Sequence, residues 1–121
     1  VFNNGDMIRD FTFIDDIVEG TIRVIDHTPD AAKCDHNVPY RIYNIGCSQP
    51  VRLMDFINEI EQALGKTAVK NYLPMQKGDV YQTNADTTRL ETELGYHPQT
   101  SLHDGIQEFI KWYVSEENPL R

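Results

Sequence analysis

Arg9 stands in the run Gly5-Asp6-Met7-Ile8-Arg9-Asp10-Phe11-Thr12-Phe13-Ile14-Asp15-Asp16, where polar and apolar residues alternate ahead of an acidic pair. A planar guanidinium makes forked hydrogen bonds to phosphate or carboxylate, so Arg9 is a candidate anion ligand. The plainer alternative is a surface ion pair with Asp6 or Asp10, which would contribute little. A second stretch where chemistry could sit is Leu73-Pro74-Met75-Gln76-Lys77-Gly78-Asp79-Val80, which has no periodicity and carries a proline and a glycine. Ordered loops of this kind position ligand groups. Catalytic pairs are harder to find. Asp15 with Asp16, and Glu59 with Glu61, have spacings that point the carboxylates apart on a helix. His27, His36 and the nearby acids match no metal-site spacing and read as solvated loop residues. No glycine-rich dinucleotide fingerprint, P-loop, H-E-x-x-H, G-x-S-x-G, C-x-x-C or Tyr-x-x-x-Lys occurs. From these residues the chain binds something rather than transforming it alone, with no catalytic, cofactor-binding or metal residue assigned.

The elements that would hold these groups follow from periodicity. Phe11 and Phe13 face one side of an opening strand, with Asp10 and Thr12 on the other. Asp15 and Asp16 are then expected to cap a helix from about Asp16 to His27, with Ile17, Val18, Ile22 and Ile25 on one face and Pro29 stopping it. Residues 28–39 form a polar loop. Tyr40-Arg41-Ile42-Tyr43-Asn44-Ile45-Gly46 reads as a strand, with Asn44 as a buried amide that satisfies nearby backbone. A helix begins at Ser48 or Gln49 with Pro50 and runs through Leu53, Phe56, Ile57, Ile60 and Leu64 to Gly65. Residues 68–73 read as a short strand. Asp86 caps a short helix with Leu90 and Leu94 that ends at Gly95. Ser101 with Asp104 makes a capping-box-like start for a last helix with Leu102, Ile106, Phe109, Ile110 and Tyr113 on its apolar face and Trp112 at the edge. Pro119 and a charged tail follow. Strands alternating with helices predict an α/β unit, a single domain over residues 1–121.

Composition narrows the partners. The 121 residues are 40% apolar and 25% charged, ordinary for a folded domain, and the net charge is −8. That balance, with no basic run, argues against nucleic acid. No apolar run approaches a membrane span and no signal peptide is present, so a cytoplasmic protein is expected. Cys34 and Cys47 have no second pair and read as free thiols. The chain begins at Val1, in what reads as the middle of a strand and without methionine, which points to a piece of a longer protein.

Three motifs in order carry a family resemblance: Asn3-Asn4-Gly5-Asp6-x-x-Arg9-Asp10-Phe11-x-Phe13-Ile14-Asp15-Asp16-Ile17, then Tyr43-Asn44-Ile45-Gly46, then Gln76-Lys77-Gly78-Asp79-Val80. The chain resembles the C-terminal, substrate-binding portion of the extended short-chain dehydrogenase/reductases, NAD(P)-binding Rossmann-fold enzymes, with the glycine-rich cofactor half absent. Within that family it looks most like the bacterial UDP-glucuronate 4-epimerases, chiefly through Leu73-Pro74-Met75-Gln76 ahead of Gly78-Asp79-Val80. The resemblance implies that Arg9 contacts the diphosphate of a nucleotide-sugar and that the backbone of Val1, Phe2 and Asn3 reads the uracil. Asp79 matches an acid near the ribose and diphosphate. Gln76 falls where galactose epimerases carry a second phosphate-contacting arginine, a departure that argues against that branch.

In such enzymes NAD takes a hydride from C4 of the sugar and returns it to the other face. The tyrosine base, its lysine and the glycine fingerprint belong to an N-terminal half. The implied partners are therefore a nucleotide-sugar and an N-terminal Rossmann domain. No NAD is expected on this chain and no epimerase activity from it alone. The helix near 16–27 and the strand near 41–45 would pack on that domain, so the isolated chain is expected to self-associate. A related nucleotide-sugar decarboxylase or dehydratase, or a non-catalytic nucleotide-sugar-binding module, stays open as an alternative.

Overall fold

A computed structural model describes residues 1–120; Arg121, at the end of the charged tail, lies outside the described residues. The elements are β1 (Ile8–Arg9), α1 (Ile14–Asp26), β2 (Val51–Arg52), α2 (Leu53–Leu64), α3 (Thr88–Leu94) and α4 (Leu102–Val114), with short 3-10 turns at Phe2–Gly5, Ala31–Lys33 and Asp35–Asn37. β1 and β2 pair antiparallel, with Ile8 opposite Arg52 and Arg9 opposite Val51. On its other edge Ile8 bridges Gln82 in parallel, through Ile8 N–H to the Tyr81 carbonyl (3.0 Å) and Thr83 N–H to the Ile8 carbonyl (3.2 Å). This small sheet is the frame that fixes Arg9.

Local signals fixed the helix ends. Ser101 Oγ accepts from Asp104 N–H (3.1 Å) and donates to Asp104 Oδ2 (2.6 Å), which satisfies an otherwise orphaned donor of α4. α3 starts after Thr87, one residue later than the Asp86 cap expected, yet Asp86 Oδ1 accepts from Thr88 N–H (3.1 Å), and its bonds to Thr88 hold the carboxyl below the usual range. Gly65 and Gly95 close α2 and α3 in the left-handed conformation, at φ +62° and +65°, where a Cβ would be strained.

Other expectations need correction. α1 begins at Ile14 after Phe13, so Asp15 and Asp16 lie in its first turn rather than at its cap. Asp16 is turned inward and buried, and its two oxygens accept the amides of Gln99 and Thr100 at 3.1 Å each. α2 begins at Leu53, because Val51 and Arg52 are taken up in β2. Residues 40–46 and 68–73 are not strands: neither segment finds a ladder partner among the described residues. β-pattern alone cannot supply the neighbour that a strand requires. Asn44 is exposed rather than buried, and its amide donates to the Asp86 carbonyl (3.1 Å).

The buried centre is formed by Met7, Thr87, Leu90, Tyr96, Ile106 and Ile110. α2 packs along α4, the Phe11 ring stacks on Phe56 with centroids 3.9 Å apart, and Phe13 lies over Gly105. The side of the opening segment predicted for Phe11 and Phe13 is thus the packed one. Glycine is required where segments touch: a Cβ on Gly46 would lie 2.3 Å from the Cβ of Ala85, and one on Gly20 would lie 3.0 Å from the Tyr96 ring. α1 turns Asp16 and Gly20 inward, while Ile14, Val18, Ile22 and Ile25 form an outward stripe that reaches 72% exposure at Ile25. Tyr40 and Ile42 are exposed too, at 65% and 62%. Among the described residues no helix is long and apolar enough to cross a membrane.

Candidate functional site

Arg9 is positioned by β1, and its guanidinium is wrapped by the loop that follows residue 76. Nη1 donates to the carbonyls of Ile8 (2.8 Å) and Tyr81 (3.0 Å). Nη2 donates to Asp79 Oδ1 (2.9 Å) and to the Val80 carbonyl (2.7 Å). The ion-pair partner is therefore Asp79, seventy residues away in sequence, and neither Asp6 nor Asp10. Asp79 Oδ1 also accepts from Val80 N–H (2.8 Å), and the Gln76 carbonyl accepts from Asp79 N–H (3.2 Å), which closes a turn through Gly78.

The N-terminal stretch lies along the same loop. Leu73 N–H donates to the Val1 carbonyl (2.9 Å), and Asn4 N–H donates to the Leu73 carbonyl (3.0 Å). Asn3 and Asn4 take left-handed conformations, φ 48° and 52°, and Asn3 Nδ2 donates to the Asp6 carbonyl (2.6 Å). Phe2 is 41% exposed. Asp6 accepts from the Tyr81 hydroxyl (3.0 Å), and this bond raises the tyrosine above its ordinary pKa. The six residues singled out in the sequence (Val1, Phe2, Asn3, Arg9, Gln76 and Asp79) thus fall in two stretches, 1–9 and 73–81, joined by these hydrogen bonds. Arg9 and Asp79 meet directly; Gln76 joins them only through its backbone.

Asp10 was read only as a surface partner, yet it joins three segments. Its Oδ2 accepts from Ser48 N–H and Ala85 N–H, both at 3.0 Å, and its Oδ1 from Gln49 N–H at 3.3 Å. Beside it lies a polar cleft of about 480 Å³ lined by Asp10, Thr12, Tyr43, Asn44, Thr83 and Asn84 among others. No sequence signal marks a carboxylate whose donors lie 38 to 75 residues away. Asp16 acts similarly on residues 99 and 100.

The carboxylate pairs are apart, as their spacing required. Glu59 Oε2 meets His103 Nδ1 (2.9 Å), while Glu61 pairs with Lys70. Asp15 is exposed and Asp16 buried. Among the described residues no group of three or more His, Cys, Asp or Glu side chains is arranged to hold a metal ion. The site presents a guanidinium bonded to three carbonyls and to the Asp79 carboxylate; among the described residues no nucleophile–base pair stands beside it.

A family profile described as GDP-mannose 4,6 dehydratase matches residues 1–109. The chain is 42% identical to Protein CapI of Staphylococcus aureus over 94% of its own length and 37% of that protein's. It is 38% identical to a probable UDP-glucuronate 4-epimerase of Rhizobium meliloti, over 93% of this chain and 36% of the relative. Among solved structures, the UDP-glucuronic acid 4-epimerase of Bacillus cereus in complex with UDP-glucuronic acid and NAD superposes with a TM-score of 0.73 at 34% identity, covering 93% of this chain and 35% of that one. The chain spans about a third of the length of the curated relatives it matches.

Proposed function

Because the chain belongs to the GDP-mannose 4,6 dehydratase family, we propose that it forms the UDP-holding part of an NAD-dependent UDP-glucuronate 4-epimerase of the cytoplasm. Its fold is that of a portion of an extended short-chain dehydrogenase/reductase, the class that the sequence resemblance implied. One observation carries the functional reading: Arg9 lies at the junction of the 1–9 stretch and the 73–81 loop, within a ring of polar backbone. In a chain of net charge −8, a cation held in this way is the natural partner of a diphosphate, because a guanidinium bonds phosphate through two parallel N–H groups. The uracil is then read by the backbone of Val1, Phe2 and Asn3, and Asp79 and Gln76 border the ribose and diphosphate. Among the described residues the helices start after Phe13, Arg52, Thr87 and Ser101, none of them a glycine-rich turn of the kind that cradles a dinucleotide. In this reading NAD and the redox chemistry belong to the rest of the parent enzyme, and this chain contributes position.

Calorimetric titration of the chain with UDP, GDP and uridine tests this. UDP is expected to bind more tightly than GDP and to weaken as salt rises. Arg9→Ala is expected to weaken UDP by about 10- to 100-fold, the worth of charge-assisted bonds to phosphate, with little change for uridine. An equal loss for uridine would show that the substitution only collapses the loop. UDP binding that ignores Arg9 would overturn the assignment.

The outward stripe of α1, with Tyr40 and Ile42, suits packing against the remainder of the parent. Left bare, it is expected to drive self-association of the isolated chain, read as a concentration-dependent mass in sedimentation. Val18→Asp with Ile22→Asp should restore the monomer; a wild-type monomer at high concentration would refute the expectation.

A further inference from the structure

All four Nη hydrogens of Arg9 have acceptors within the chain: the Ile8 and Tyr81 carbonyls on Nη1, the Asp79 carboxylate and Val80 carbonyl on Nη2. A guanidinium has five N–H donors and no acceptor, so a diphosphate can gain a forked grip on Arg9 only by displacing one of these partners. Two of the three carbonyls are tied to the sheet: the Tyr81 carbonyl accepts from Ile8 N–H, and the Ile8 carbonyl accepts from Thr83 N–H. Asp79 is the one carboxylate among the acceptors, and it lies next to Gly78, at φ +86° with open space around its α-carbon. Like a phosphate, it presents an anionic oxygen to the fork. The Arg9 and Asp79 side chains are only 20% and 33% exposed, so their contact is partly shielded from water.

We propose that Asp79 is an internal stand-in for the nucleotide diphosphate, holding Arg9 in its gripping geometry and leaving it by a turn at Gly78 when the ligand arrives. The device rests on the proposed UDP-binding role of Arg9 and adds to it a coupling between ligand entry and the 76–81 loop. Affinity is set by the difference between two anions on one guanidinium, and a ligand without a diphosphate does not trigger the exchange. Tyr81, bonded to Asp6, keeps the far end of the loop in place while its middle moves.

Pyrophosphate, free of divalent metal, is the probe, measured against UDP and uridine. Asp79→Asn keeps the size of the side chain and removes the competing charge. It should tighten pyrophosphate about fivefold, the worth of one partly exposed ion pair. Pyrophosphate should also speed hydrogen exchange at the Val80 amide in the wild-type chain, because that N–H loses the Asp79 oxygen. Arg9-dependent UDP binding, with pyrophosphate affinity unchanged or weakened in Asp79→Asn and no change at the Val80 amide, overturns the exchange and leaves the UDP role intact. Absence of Arg9-dependent UDP binding overturns both.

Discussion

Asp10→Ala is expected to destabilise the chain by about 3 kcal/mol, a large part of the roughly 5–15 kcal/mol that holds a domain together. The side chain accepts three backbone N–H groups, from Ser48, Gln49 and Ala85. Hydrogen bonds to a charged acceptor contribute about 1.5–3 kcal/mol each when enclosed. Two of these three face water, so the sum falls well short of three full bonds. What raises the cost is the backbone that the carboxylate holds. Ser48 sits at φ 55°, an unfavourable angle for serine, and Gly46 and Ala85 pack so closely that no Cβ fits between them. Without Asp10 the 46–49 and 83–85 segments lose their shared anchor, and the cleft between them loses its shape. Urea denaturation reads the loss directly, and hydrogen exchange at Ser48 and Ala85 locates it. Asp10→Asn keeps one accepting oxygen but turns an NH2 group towards an amide donor, so it should show about half the effect. A change below about 0.5 kcal/mol for Asp10→Ala would mean that the anchor is replaceable by water.

Asp10 also shows where sequence was a sufficient guide and where it was not. The ends of α3 and α4 were legible because the signals act within four residues: Ser101 with Asp104, Asp86 with Thr88, Gly95 after Leu94. The stripe Val18, Ile22 and Ile25 was legible as a stripe, yet periodicity gives a face without saying what lies opposite it. Here the interior side belongs to Asp16 and Gly20, the latter chosen for the Tyr96 ring that lies over it. Strands failed for the same reason in a stronger form. Residues 40–46 have β-branched and aromatic content but no partner strand among the described residues, while Val51 and Arg52, read as the start of a helix, pair with β1 because the β1 edge is there. The pairing of Ile8 with Gln82 had no local sign at all. At the candidate site, Arg9 could be singled out by residue type and by family resemblance. That its partner is Asp79 depends on a fold that brings residues 9 and 79 to 2.9 Å, which neither spacing nor composition encodes.

Tyr96 carries the other large effect, and it can be separated into three parts. The side chain is fully buried, its ring lies over Gly20, and its hydroxyl donates to the Gly46 carbonyl at 3.1 Å. Tyr96→Ala should cost about 3–5 kcal/mol, since it empties a ring-sized space that Gly20 cannot fill. Tyr96→Phe keeps the ring and leaves one buried carbonyl unpaired, a loss of about 1 kcal/mol. The third part is pH dependence. Burial, with Asp16 next in weight, pushes the hydroxyl up from 10.0 to about 12. The unfolded chain therefore releases this proton before the folded chain does, and stability falls as pH rises through that window. The contribution is fully present below about pH 10 and lost by about pH 12, amounting to roughly 2–3 kcal/mol. Tyr43 and Tyr81 are raised as well, Tyr43 by burial and Tyr81 by its bond to Asp6, so some alkaline slope should survive in Tyr96→Phe. Urea midpoints at pH 9 and pH 11.5 for wild type and Tyr96→Phe decide the matter. The phenylalanine variant should be the less stable at pH 9 and close the gap at pH 11.5; parallel losses in both would place the alkaline titration elsewhere in the chain.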